Sequence, residues 1–283
     1  MPGRGRFICA SPGIICAMEL AEKVVVVTGG ASGIGRAMAL RFAEEGAAGV
    51  VVADLDGAAA ERVADEIGAS RALGVACDVA SKAANEALID AAEERFGPVD
   101  LFCANAGIGG GVGMEDGWEQ ALGVNTLAHV HAAQRLVPGW VERGSGYFLS
   151  TASAAGLLTQ IGSAQYAVSK HAAVAFSEWL SVTYGDAGVR VSCLCPMGVR
   201  TPLLDEGDAV GGVGKTATDA VKAAGAVLEP EQVADLVVEA VRDERFLILP
   251  HPEVLDFFRH KGSDYDRWIR GMRRLQAALV AGA

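Results

Sequence analysis

A tyrosine and a lysine stand four positions apart in "QYAVSK", residues 165–170. Four helical residues advance about 6 Å, just over one turn, so Tyr166 and Lys170 share a face. A phenol beside an ammonium is a device for moving protons. Free tyrosine ionises near pH 10, which leaves only about a thousandth as phenolate at neutral pH. A neighbouring cation stabilises that anion and makes the phenol a usable base closer to neutrality. Together these groups suit oxidation of an alcohol, which gives up a hydroxyl proton while hydride leaves for an acceptor. The plain competing account is a chance pair on a helix surface, since lysine is common.

An acceptor site is legible upstream. "VVVVTGGASGIGRAMAL", residues 24–40, runs from an apolar strand straight into a helix. Its Gly29, Gly33 and Gly35 follow G-x-x-x-G-x-G, and their setting demands a tight turn, close backbone approach to a pyrophosphate and a helix N-terminus aimed at it. The next strand ends in "VVVADLD", which places Asp54 19 residues past Gly35. That interval suits the acid that accepts hydrogen bonds from a ribose. A carboxylate there repels a 2′-phosphate, and no arginine or lysine lies within residues 29–34 to offset it. NAD is therefore expected rather than NADP. Asp54 could instead cap the following helix, but Asp56 is better placed for that.

The elements that position these residues alternate along the chain. Strand-like runs fall at 24–27, 49–53, 72–77, 99–104, 146–150, 189–195 and 245–249, with helical stretches between them. Runs apolar at every position are covered on both faces. The expected fold is a single α/β domain over residues 18–283, a doubly wound, Rossmann-type parallel sheet of seven strands. Ligands in such sheets sit at the strand carboxyl ends. Two long segments follow those ends: the glycine-rich residues 107–117 and the small and acidic residues 203–229, a lid over the substrate. Residues 251–283 form an aromatic and basic tail, read as an interface or lid helix.

Bulk properties exclude several classes. The 283 residues are 51% hydrophobic, enough for a sizeable core, and the net charge of −11 opposes a nucleic-acid surface. No apolar run reaches the roughly 18 residues of a membrane span. The six cysteines lack metal or disulfide spacing and the five histidines form no metal constellation, so a reducing cytoplasm is expected. Residues 1–17 read as a loosely held N-terminal extension rather than a targeting segment.

Taken in order, these motifs resemble the short-chain dehydrogenase/reductase family from about Lys23 to Pro250. "TGGASGIG" (28–35) is similar to its cofactor turn, "CDV" (77–79) to its adenine contact, and "ANAG" (104–107) to its N-N-A-G stretch, with Ala104 for the first asparagine. Asn125 in "VNT" and Ser153 in "STASAAG" complete the set with Tyr166 and Lys170. The resemblance implies catalytic roles for Asn125, Ser153, Tyr166 and Lys170. Lys170 would also bind the nicotinamide ribose, and Asn125 would anchor a proton-relaying water. It implies cofactor contacts at Thr28, Gly29, Ser32, Gly33, Ile34 and Gly35 in the turn, and at Asp54, Leu55, Cys77, Asp78 and Val79 after the next two strands. Asn105, Ala106, Gly107, Tyr166, Lys170, Pro196, Val199 and Thr201 would complete the NAD site. "CPMGVRTP" (195–202) departs from the family in placing Met197 where a glycine is usual; backbone near Val199 would meet the carboxamide.

A secondary alcohol or ketone is the implied substrate, and the small apolar residues Ala155, Leu157, Leu158, Leu203 and Leu204 suggest a hydrophobic one. Helices around 115–140 and 162–184 imply a homodimer or homotetramer. A catalytically silent NAD-binding sensor or partner subunit is the alternative.

Overall fold

The computed structural model describes residues 18–205 and 212–281. The expected N-terminal extension, with Cys9 and Cys16, lies outside these residues, as does part of the 203–229 segment.

Seven parallel strands form one sheet: β1 (Val24–Thr28), β2 (Gly49–Asp54), β3 (Ala72–Ala76), β4 (Leu101–Ala104), β5 (Gly146–Thr151), β6 (Val189–Leu194) and β7 (Leu247–Ile248). They lie in the order β3-β2-β1-β4-β5-β6-β7. The order reverses between β1 and β4, which opens a crevice at their carboxyl ends. Val24 pairs in register with Gly49 of β2, and Val25 pairs with Leu101 of β4 on the other side.

Alternation along each strand divides the core. Val25, Val27, Val50, Val52 and Leu101 face one apolar layer. Val24, Val26, Val51 and Phe102 face the other. The first layer is closed by α1 (Gly33–Glu44) and α2 (Gly57–Ile67), through Met38, Phe42 and Val63. The second is closed by α3 (Lys82–Phe96) and, beyond α4 (Trp118–Leu122), by α5 (Ala128–Arg143), with Leu88, Leu136 and Trp140 buried. Because both faces are covered, Val25, Val26 and Val27 are wholly buried, which is why these strands read as unbroken apolar runs.

The remaining helices complete the core and, apart from α9, border the cleft. They are α6 (Ala155–Leu158), α7 (Ala164–Tyr184), α8 (Gly212–Ala224), α9 (Pro230–Arg242), α10 (Glu253–Ser263) and α11 (Tyr265–Ala281). Leu180 of α7 packs with the second layer, and Val233, Val237 and Val241 of α9 with the first. Among its described residues, the segment expected as a lid carries a helical turn at 202–205 and α8 beyond it.

β7 is shorter than its apolar run. At this sheet edge only Leu247 and Ile248 pair with β6, while Phe246 and Leu249 pack into a third apolar cluster with Leu157, Leu158 and Val254. Between α4 and α5 the helix widens into one π-helical turn, Gly123–Leu127, which carries Asn125. Such turns are rare and concentrate at functional sites.

Candidate active site

The carboxyl ends of the central strands open onto a cleft of about 1800 Å³. At one end stands the N-terminus of α1. Its N-cap, Ser32, makes no capping bond and its first turn holds no acid. By contrast, Asp56, Ser81 and Ser163 each accept a backbone N–H at the starts of α2, α3 and α7. The α1 donors and the positive end of its dipole are thus left for an anion. Glycine shapes the turn before it. Gly29 has φ +61, and a Cβ there would lie 2.8 Å from the Ala106 Cα. A Cβ on Gly35 would run into the Gly29 carbonyl. This cradle fits a pyrophosphate.

Gly29, Ser32, Gly33, Ile34 and Gly35 all line the cleft, followed by Asp54 and Leu55 at the end of β2. The Asp54 carboxylate accepts from Ala31 N–H at 3.1 Å and from Asp56 N–H at 3.2 Å, which holds it beside the glycine turn. The cap of α2 is Asp56, through Ala59 N–H at 3.0 Å. Cys77, Asp78 and Val79 follow β3 on the same wall, and Asn105, Ala106 and Gly107 follow β4.

Thr28 stands differently from expectation. It is buried behind the cleft and donates to the Cys103 carbonyl at 3.2 Å, while its hydroxyl accepts from the N–H groups of Asn105 and Ala106. Its place is to brace the residues that do line the cleft, because a residue inside a paired central strand has its side chain in the core.

The reactive groups gather farther along. Ser153 follows β5, Tyr166 and Lys170 project from the first turns of α7, and Pro196, Met197, Val199 and Thr201 follow β6; all line the cleft. Lys170 is 2% exposed, and its ammonium donates to the Thr151 carbonyl at 2.9 Å. It lies 5.8 Å from the Tyr166 ring centroid. A Cβ on Gly107 would be 3.3 Å from Lys170 Nζ and 3.4 Å from Asn125 Oδ1, so glycine lets these groups converge.

Asn125 is fully buried and also does not line the cleft. Its side chain accepts from Ile108 N–H at 2.9 Å, donates to the Ile108 carbonyl at 3.0 Å and donates to Ser169 Oγ at 3.0 Å. It joins the π turn, α7 and the loop after β4. That loop is tied again to the start of α7, where Ser163 donates to the Gly109 carbonyl and Gln165 to the Asp116 carbonyl.

Burial shapes the titration of the pair. It pulls Lys170 down to about 8, and the thiols of Cys195 and Cys193 oppose that shift. It pushes the Tyr166 phenol above its ordinary value, partly offset by a hydrogen bond from Ser153. The expected downward shift is therefore not built into the protein by Lys170 alone, because losing water costs the phenolate more than this environment returns.

The end of the cleft beyond Ser153 and Tyr166 mixes apolar residues with polar ones, Gln160, His260, Arg267 and Arg274 among them. Leu158, Leu203, Leu204, Val221, Trp268 and Leu275 line the cleft, the last two from the tail helix α11. Leu157 turns into the core instead, and its carbonyl accepts from the buried Lys261 at 2.6 Å. Lys261 and His251 are the groups that motif reading passes over. Their partners are backbone atoms far along the chain, and such atoms leave no pattern in a sequence.

An α/β sheet that opens an uncapped helix start, an acid at the end of the second strand and a Ser-Tyr-Lys group onto one cleft defines a dinucleotide-dependent oxidoreductase. Comparison with known proteins narrows the class. The family model for short chain dehydrogenases matches residues 23–209, and the chain belongs to that family. It is 37% identical over 262 residues to 1-deoxy-11-beta-hydroxypentalenate dehydrogenase of Streptomyces exfoliatus, covering 89% of this chain and 91% of that one. It is 30% identical to a cyclohexanol dehydrogenase of an Acinetobacter species, with coverages of 83% and 94%. Among solved structures, a short chain dehydrogenase/reductase from Burkholderia phymatum in complex with NAD superposes with a TM-score of 0.79 and 34% identity, covering 88% of this chain and 96% of that chain. No helix among the described residues is long and apolar enough to cross a membrane.

Proposed function

We propose that the protein is an NAD-dependent dehydrogenase that interconverts a hydrophobic secondary alcohol and its ketone. The observation that carries this reading is the convergence of Ser153, Tyr166 and Lys170 on the cleft that begins at the bare start of α1. Dehydrogenase names among the relatives, one of them for a cyclic alcohol, agree with it. A silent NAD-binding role gains no support from a site with all three groups in place.

The dinucleotide would lie with its pyrophosphate on the glycine turn, its adenosine against Asp54 and Asp78, and its nicotinamide end toward Tyr166 and Val199. Bound there, NAD would supply the hydride acceptor and a positive charge. Asp54 would select NAD by holding the ribose hydroxyls and rejecting a 2′-phosphate. Ser153 would hold the substrate oxygen, and Tyr166 Oη would take the hydroxyl proton in oxidation and return it in reduction. Lys170, fixed to the Thr151 carbonyl, would supply a cation for the phenolate, and Asn125 would keep the loop after β4 in register for the proton path. Because burial alone raises the phenol, Tyr166 would need positive charge beside it to ionise, which Lys170 and a bound NAD would supply. The turn at 202–205 with α8 and α11 would close over the substrate as a lid.

Two copies would associate through α5 and α7. The π turn and α7 leave Leu127, Val168, Trp179 and Val182 exposed, which is costly for a lone chain.

The direct test is NADH formation from NAD with cyclohexanol and bulkier cyclic alcohols. No NADH from any of them, with Tyr166 intact, would overturn the reading.

A further inference from the structure

We propose that His251 is the positioning residue for the nicotinamide-facing loop after β6, acting from behind the cleft. The proposal deepens the reading above and rests on the nicotinamide end lying beside residues 196–199.

The β6–β7 ladder is short. Its last rung runs from Cys195 N–H to the Ile248 carbonyl at 2.9 Å. Beyond it the chain turns into the cleft wall, where Pro196, Met197 and Val199 stand. Strand pairing can no longer satisfy this backbone, and a buried N–H or C=O left alone is costly. His251 takes over at that point. It is 2% exposed. Its Nδ1 accepts from Met197 N–H at 3.2 Å, while Nε2 faces the carbonyls of Gly198 at 3.1 Å and Ala226 at 3.0 Å.

These partners settle the tautomer. Nδ1 accepts, so the proton sits on Nε2 and is shared between the two carbonyls. A neutral ring thereby joins three separate segments: the loop after β6, the return from α8 at Ala226, and the root of the C-terminal tail. A second connection runs parallel to it. Leu228 N–H donates to Gly198 O at 3.0 Å, and Arg200 N–H donates to Leu228 O at 2.9 Å. Gly198 O thus takes two donors, one from each support.

The arrangement also bears on Met197. A residue with a Cβ at that position narrows the backbone choices that glycine would leave open. The His251 bond to its N–H holds one of them. His251 does not line the cleft, so its influence on a ligand passes through the loop.

The test compares two ligands on the full-length protein. NADH reaches the loop, whereas ADP-ribose lacks the nicotinamide and ends short of it. Wild type, His251→Gln and His251→Phe are titrated with each. Gln keeps an amide donor for the carbonyls; Phe keeps a ring and loses every bond. NADH affinity should fall about tenfold or more in Phe and less in Gln, with ADP-ribose affinity unchanged in both. An unchanged ratio of the two affinities overturns the proposal, as does equal loss of both ligands, which would mark a general effect on folding. If Phe does not fold, the ratio in Gln decides by the same criterion. Wild-type protein that binds ADP-ribose no more weakly than NADH would instead remove the seat assigned to the nicotinamide, and the proposal with it.

Discussion

Lys170 donates to the Thr151 carbonyl at 2.9 Å and holds its ammonium 5.8 Å from the centre of the Tyr166 ring. The cation is tied to the end of β5 by a neutral acceptor, not by a carboxylate that would cancel its charge. It therefore remains available to a phenolate forming one turn away.

Removing the phenol should separate binding from chemistry. Tyr166→Phe should lower kcat by about 10²–10⁴-fold while NADH binding, followed by fluorescence titration, stays near wild type. Ser153→Ala should lower kcat by about 10²–10³-fold. Wild-type turnover in the phenylalanine variant would exclude Tyr166 as the proton carrier.

The direction of catalysis should depend on pH with opposite signs. Burial keeps the Tyr166 proton on, so oxidation, which needs the base form, should keep accelerating as the pH is raised above neutrality. Ketone reduction needs the acid form and should slow only where the phenol loses its proton. Initial rates in both directions check this, and parallel profiles would contradict it.

Stability should carry the signature of Lys170. Its value falls from 10.5 to about 8 on folding. Below that window folded and unfolded chains both hold the proton; within it only the unfolded chain does. Stability should therefore rise with pH from about 8 to 10.5, by roughly 3 kcal/mol at most from this group. Lys170→Met should remove that part of the slope in urea unfolding. The same slope in both proteins would assign it to other groups.

Cofactor choice should rest on Asp54. Asp54→Asn loses the charge and keeps an acceptor for only one of the Ala31 and Asp56 N–H groups, and the ratio of kcat/KM for NAD over NADP should fall about tenfold or more. A ratio that does not move would place the discrimination elsewhere.

The tail should govern substrate rather than cofactor. Lys261 is buried and donates to the Leu157 carbonyl at the end of α6. Lys261→Met should destabilise the protein by about 1–3 kcal/mol, raise KM for the alcohol and leave NADH affinity alone. A loss confined to NADH would show that the latch serves the other end of the cleft.

Much of the sheet is legible because of local chemistry. Val24–Val27 must be a strand covered on both faces, since no other element buries four consecutive valines so simply. The glycine turn was legible for a similar reason: only a bare backbone passes Gly29 and Gly35 so close to Ala106 and to each other. Less visible were the two-residue β7 and the π turn around Asn125. Each reflects packing against distant partners: Phe246 gives its carbonyl to Cys193 N–H, while its ring and the Leu249 side chain pack into a side cluster. Thr28 shows the limit of motif reading, because a position within a cofactor motif can serve by holding Asn105 and Ala106 rather than by facing the ligand.

Residue order alone determined the strand-turn-helix at 24–44, the acid at 54, and a phenol and ammonium on one face of α7, because each depends on spacings within a few turns of chain. Only the folded molecule decided that Lys170 leans on Thr151, that His251 fastens Met197, Gly198 and Ala226, and that α11 walls one end of the cleft. The Lys170 and His251 contacts join a side chain to backbone atoms between 19 and 54 residues away. Backbone carbonyls and amides are alike at every position, so their partners are chosen by packing geometry and cannot be spelled in side chains.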